Sequence, residues 1–141
     1  MNLQIYCDGA SRGNPGPSAA AFVVFDDAGN EIKRFKHFLG VTTNNQAEYA
    51  AVLMAHRWLA CSKTKDLNIT KADFILDSQL VVNQLSGVYK IKNPNIANLV
   101  IQIRILQKKI KYPISFTHVK RGQNFLADGL ANEALDEKMK K

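Results

Sequence analysis

The chain has 141 residues, a formal net charge of +7 and 46% hydrophobic residues, which suits one domain with a full apolar core. No apolar run is long enough to span a membrane, and Met1-Asn2-Leu3-Gln4 leads straight into a strand, with no charged and apolar leader. Two cysteines, Cys7 and Cys61, make neither a disulfide framework nor a zinc spacing, so a cytoplasmic, monomeric domain is expected.

Leu3, Ile5 and Cys7 alternate with Gln4, Tyr6 and Asp8 as a first strand. The run Gly9 to Pro17 is rich in turn formers, so Asp8 is expected where the strand ends. Gly9 has no side chain and lets a ligand or another backbone come close. Residues 18–26 read as a second strand, Asp27 to Asn30 as a turn, and Glu31 to Leu39 as a third strand. Short turns between successive strands imply an antiparallel meander. Thr42 to Asn45 offers helix caps, and Gln46 to Ala60 is a helix apolar nearly all round, hence buried on more than one side.

Residues 61–70 read as a loop, 72–77 as a short strand ending in Asp77, and 78–86 as a short helix stopped by Gly87. Pro94 opens a longer helix to about Lys111, with Ile96, Val100, Ile103 and Ile110 at helical spacing. A last strand covers 114–119, and Asn124 is expected to cap a final helix. Residues 1–137 then form one domain and 138–141 a basic C-terminal tail. The predicted class is α/β. Three antiparallel strands are followed by two parallel ones, joined through helices, giving a mixed five-stranded sheet with helices on both faces.

Four acids interrupt apolar segments: Asp8 and Asp77 at strand ends, Glu48 opening a buried helix, and Asp128 early in the last helix. Singly, these read as a surface turn or as partners of a helix dipole. Together, at one edge of a sheet, they would repel strongly, and a divalent cation is the natural counter-charge. All-oxygen ligands select Mg²⁺ or Mn²⁺ and argue against zinc. Two such ions support in-line displacement at phosphorus. Between Asp77 and Asp128 there is no acid, while Lys90, Lys92, Arg104, Lys108, Lys109, Lys111, Lys120 and Arg121 fall there. That block reads as a polyanion-binding surface or as a solvated face.

At these residues the sequence resembles the type 1 ribonuclease H family. The matching stretches are Tyr6 to Gly16, Thr43-Asn44-Asn45-Gln46-Ala47-Glu48, Asp77-Ser78-Gln79, and His118-Val119 through Asn124 to Ala127-Asp128. The resemblance implies the ribonuclease H fold and hydrolysis of the RNA strand of RNA/DNA hybrids to 5′-phosphate and 3′-hydroxyl products. Double-stranded RNA is an alternative substrate. Two Mg²⁺ ions (or Mn²⁺) are implied on Asp8, Glu48, Asp77 and Asp128, with Glu48 also sensing the ribose 2′-hydroxyl. Asn14, Asn44, Asn45 and Gln79 are implied at the minor groove, Thr43 and Asn93 at a DNA-strand phosphate, and Gly9 and Arg121 are further substrate-binding candidates. Two departures stand out. The basic protrusion of some members is missing, because residues 89–94 pass directly into one helix. The loop before the last acid is short and carries Arg121 where relatives have a histidine. His37, His56 and His118 read as structural. A silent nucleic-acid-binding module is the competing reading, and the intact acids argue against it.

Overall fold

Alternating apolar residues place Leu3, Ile5 and Cys7 on one face of β1 (Asn2–Ser11), with Phe22 and Val24 of β2 (Gly16–Phe25) beside them. The computed structural model describes residues 1–139. β3 (Glu31–Thr42) completes the antiparallel meander, and β4 (Lys71–Leu76) and β5 (Ile114–His118) add to it in parallel. The sheet order is β3-β2-β1-β4-β5, the mixed five-stranded arrangement that the element order predicts.

Four α-helices cover this sheet: α1 (Asn44–Ala60), α2 (Gln79–Leu85), α3 (Pro94–Lys109) and α4 (Phe125–Met139). α1 is buried along most of its length and is packed between the sheet and α3, with Tyr49, Val52 and Leu59 in the main core. Ile96, Val100 and Ile103 supply the inner face of α3. α4 alone packs on the opposite sheet face, where Leu130 and Ala131 meet Ala21 and Val23. His56 is fully buried in the main core and stacks on Phe74 at 4.4 Å. Its Nδ1 lies 2.8 Å from the Val52 carbonyl, and burial pushes its pKa down to about 4, so the ring is neutral and structural.

Several boundaries differ from the sequence reading. The expected loop 61–70 contains a 3₁₀ turn at Ser62–Leu67, pinned by the Thr64 hydroxyl donating to the Leu59 and Cys61 carbonyls. α4 runs past 137 because its end has partners: the Lys138 ammonium lies 5.9 Å from the centre of the Phe38 ring, and Arg12 donates to the Met139 sulfur. Lys140 and Lys141 of the expected tail lie outside the described residues. Asn124 does not cap α4. It closes a 3₁₀ turn (Arg121–Asn124), and its amide donates 2.8 Å to the Cys7 carbonyl.

Candidate active site

β1 does not end at Asp8. It stays paired with β2 as far as Ser11↔Ser18, with Asp8 opposite Ala21. Its pairing with β4 stops earlier, at Tyr6↔Ile75. The β4 side of Asp8 is therefore open, and Asp77 follows directly on the last residue of β4. Two parallel strands thus deliver two carboxylates to one sheet edge, where α/β folds place their ligand sites.

Glu48 reaches the same place because Gly9 lets α1 lie on the strand. A Cβ at Gly9 would stand 2.3 Å from the Ala47 carbonyl carbon and 2.4 Å from the Glu48 nitrogen. So the close approach anticipated at Gly9 is by backbone. Gly9→Ala is expected to destabilise the protein by about 1–3 kcal/mol through overpacking and to push Glu48 off the cluster. Urea unfolding reads the first effect, and an unchanged midpoint would mean that α1 retreats without cost.

Asp8, Glu48 and Asp77 each present a carboxylate oxygen, and these three atoms lie within 4.8 Å of one another. Asp8 and Glu48 are buried, and Asp77 is half-buried. Burial and the neighbouring acids drive the Asp8 carboxyl up to about 9; Asp77, Asp128 and Glu48 all contribute. Burial raises Glu48 to about 7, opposed by a hydrogen bond from Ser78 and by the Arg121 cation. Asp77 is also raised by burial, against the Asn124 side chain and Arg121. Glu48 Oε2 is shielded from solvent and has no hydrogen-bond partner. A buried acceptor without a donor, inside a cluster of like charge, matches the chemistry of a hard divalent cation.

Asp128 stands apart from that triplet, at the rim. It helps raise the Asp8 carboxyl, and the Asn132 amide donates to its Oδ1 at 3.3 Å and to its carbonyl at 3.0 Å. An open cavity of about 420 Å³ joins Asp8, Gly9 and Asp128 to Asn14, Asn44 and Arg121. Asn14 Oδ1 accepts the Asn44 backbone N–H at 3.0 Å, which ties the β1–β2 loop to the first turn of α1. Asn45 and Gln79 are exposed at the starts of α1 and α2. Thr43 and Asn93 are the N-caps of α1 and α3: Thr43 Oγ accepts from Gln46 N, and Asn93 Oδ1 from Asn95 N and Ile96 N.

Three contributors escaped the sequence reading. Ser78 caps α2, its hydroxyl accepting from Val81 N, and its side chain opposes the rise of the Glu48 carboxyl. Asn124 donates to the Cys7 carbonyl, and its side chain opposes the rise of the Asp77 carboxyl. Asn132 supports Asp128 one helical turn on, and that i, i+4 spacing is the one signal that could have found it. In the basic block, Lys90, Lys92, Lys108 and Lys109 are exposed. Arg104 instead turns inward, donating to the Leu85 carbonyl at 2.7 Å and to Gln107 at 3.0 Å. His118 is exposed at the end of β5, opposite Leu76 in the strand register.

A family model described as reverse transcriptase-like matches residues 6–134. A ribonuclease HI of Halobacterium salinarum is 39% identical over 135 residues, which cover 96% of this chain and 65% of that protein. A bifunctional protein of Mycobacterium tuberculosis is 36% identical over 137 residues, 96% of this chain and 36% of its own length. The chain therefore spans about a third to two thirds of these curated relatives. Among solved structures, the H. salinarum ribonuclease H1 superposes with a TM-score of 0.86 at 37% identity, covering 97% of this chain and 99% of the other. The LC11 ribonuclease H1, from compost and solved with an RNA/DNA hybrid, gives 0.91 at 35% identity, with coverage of 97% and 99%. With the model matched nearly end to end and the same fold in these structures, the chain belongs to the type 1 ribonuclease H family.

Proposed function

We propose that this protein is a ribonuclease H that cuts the RNA strand of RNA/DNA hybrids, leaving 5′-phosphate and 3′-hydroxyl ends. The observation that carries the reading is the triplet of carboxylate oxygens within 4.8 Å, with an unpartnered buried oxygen on Glu48. The LC11 relative was solved with an RNA/DNA hybrid, and that supports the same substrate class here.

Asp8, Glu48 and Asp77 would hold divalent cations, Mg²⁺ or Mn²⁺, with Asp128 as the outer ligand. When bound, two such ions supply charge neutralisation at the phosphate and a more acidic water. Glu48 is also the residue proposed to sense the 2′-hydroxyl. Thr43 accepts its capping bond and keeps its O–H free to donate to a DNA-strand phosphate, and Asn93 keeps its NH₂ in the same way. Asn14, Asn44, Asn45 and Gln79 present neutral amides, which suit minor-groove edges and 2′-hydroxyls with little sequence preference. Arg121 faces the acids and would clamp the scissile-strand phosphate.

The test is incubation of the protein with labelled RNA/DNA, RNA/RNA and DNA/DNA duplexes, with Mg²⁺, Mn²⁺ or a chelator. Cleavage of the RNA in the hybrid, dependent on the cation, is expected. A hybrid left intact with every divalent cation would overturn the reading.

A further inference from the structure

On the side of α1 that faces β3 and α3, residues Gln46, Ala50, Met54 and Trp58 recur every fourth position and form one stripe. Two cavities open along it. The first, of about 290 Å³, lies between the end of β3, α1 and α3; four amides, Gln46, Asn95, Asn98 and Gln102, line it together with Leu39, Thr42, Ala50 and Leu99. The second, of about 420 Å³, is walled by Phe22, Phe35, Met54 and Trp58. Lys33, His37 and Arg57 also line it. Arg57 joins the two, because its guanidinium donates to Gln102 at 3.4 Å. No carboxylate of the described residues lines either cavity, and neither Lys33 nor Arg57 has an ion-pair partner among those residues.

The stripe starts less than one turn beyond Thr43 and runs from Gln46 to Trp58, roughly 18 Å of helix. A cavity lined by amides and apolar residues beside the proposed Thr43 phosphate contact is followed along the stripe by an aromatic pocket whose cations have no ion-pair partner among the described residues. Neutral amides tolerate any base, aromatic walls stack bases, and the cations take the phosphate between them. We propose that this groove binds an unpaired extension of the DNA strand, with one base stacked in the Phe35–Trp58 pocket and its phosphate held by Lys33 and Arg57. The inference rests on the hybrid reading above, since it continues the DNA strand beyond the Thr43 site.

Trp58 is the sole tryptophan of the chain, so its emission reports this pocket alone. The experiment titrates the metal-free protein with a blunt hybrid and with hybrids whose DNA strand carries a four-nucleotide tail at either end. One tailed hybrid is expected to bind about tenfold more tightly than the blunt one and to quench Trp58. Lys33→Gln with Arg57→Gln, both near the surface, should abolish the tail-dependent gain, and Phe35→Leu should weaken the quenching. Equal affinity and unchanged emission for all three hybrids would overturn the proposal. So would quenching by an apolar peptide with a free terminal carboxylate and none by any tail, which would assign the pocket to a protein. Cleavage of the blunt hybrid with Mg²⁺, assayed in parallel, tests the hydrolase reading separately.

Discussion

Asp8→Asn is expected to lower hybrid cleavage by about 10³-fold, the scale of losing several kcal/mol of cation-based charge stabilisation, while making the metal-free protein more stable. Asp8 is buried among Asp77, Asp128 and Glu48, and its carboxyl is pushed up to about 9 from an ordinary 3.8. A folded-state pKa above the unfolded value means that the native state binds the proton more tightly. The stability this gives is complete below about pH 3.8 and is lost as pH rises toward 9. The metal-free wild type should therefore melt at progressively lower temperature from pH 5 to pH 9, and the Asn variant should show a shallower slope. Near pH 8 the variant should melt above the wild type. Mg²⁺ should raise the wild-type melting temperature by binding the native state alone, and the variant should respond much less. Calorimetry with and without Mg²⁺ reads all of this. Near-native turnover in Asp8→Asn, or a wild-type melting temperature indifferent to both pH and Mg²⁺, would sink the cation-site reading.

The parts of this site that follow from side-chain type were legible in the sequence, and the parts that depend on two neighbours with different lengths were not. Asp8 was recognisable because an acid interrupts an alternating strand. Its position inside β1 was not, because Gly9 and Ala10 keep pairing with β2 after β4 has stopped. Turn-forming composition marks where a strand can end, while the partner strand decides where it does. Asn124 shows the same limit. Its place before a helix suggests a cap, but the buried Cys7 carbonyl needs a donor, and that long-range demand takes the amide. Thr43 and Asn93 went the other way: each is a cap by local chemistry, and the cap leaves its side-chain donor without a partner among the described residues. Arg104 looked like part of a basic face because its neighbours in sequence are lysines. Orphan carbonyls at the end of α2 drew it inward.

The loop before Asp128 separates two kinds of chemistry, and Arg121→Ala and His118→Ala distinguish them. Arg121 opens the 3₁₀ turn and its charge acts on both Glu48 and Asp77. A guanidinium stays charged across the working range and clamps a phosphate bidentately, but it does not shuttle protons. His118 ends β5, exposed, and it is not among the residues that line the acid cavity. Arg121→Ala is expected to lower turnover by about 10²-fold, the scale of one donor to developing charge. Because Arg121 opposes the rise of Glu48 and Asp77, its loss lets both acids climb further. The acidic limb of the pH–rate profile should then move to higher pH, with no limb lost, and Arg121→Lys should restore part of both the rate and the limb position. His118→Ala should cost no more than about threefold, far below the ~10²–10⁴-fold of a general acid or base. A pH–rate series on wild type and the three variants decides the matter. If His118→Ala alone removes a limb of the profile, proton transfer belongs to His118 and Arg121 is reduced to shaping the turn.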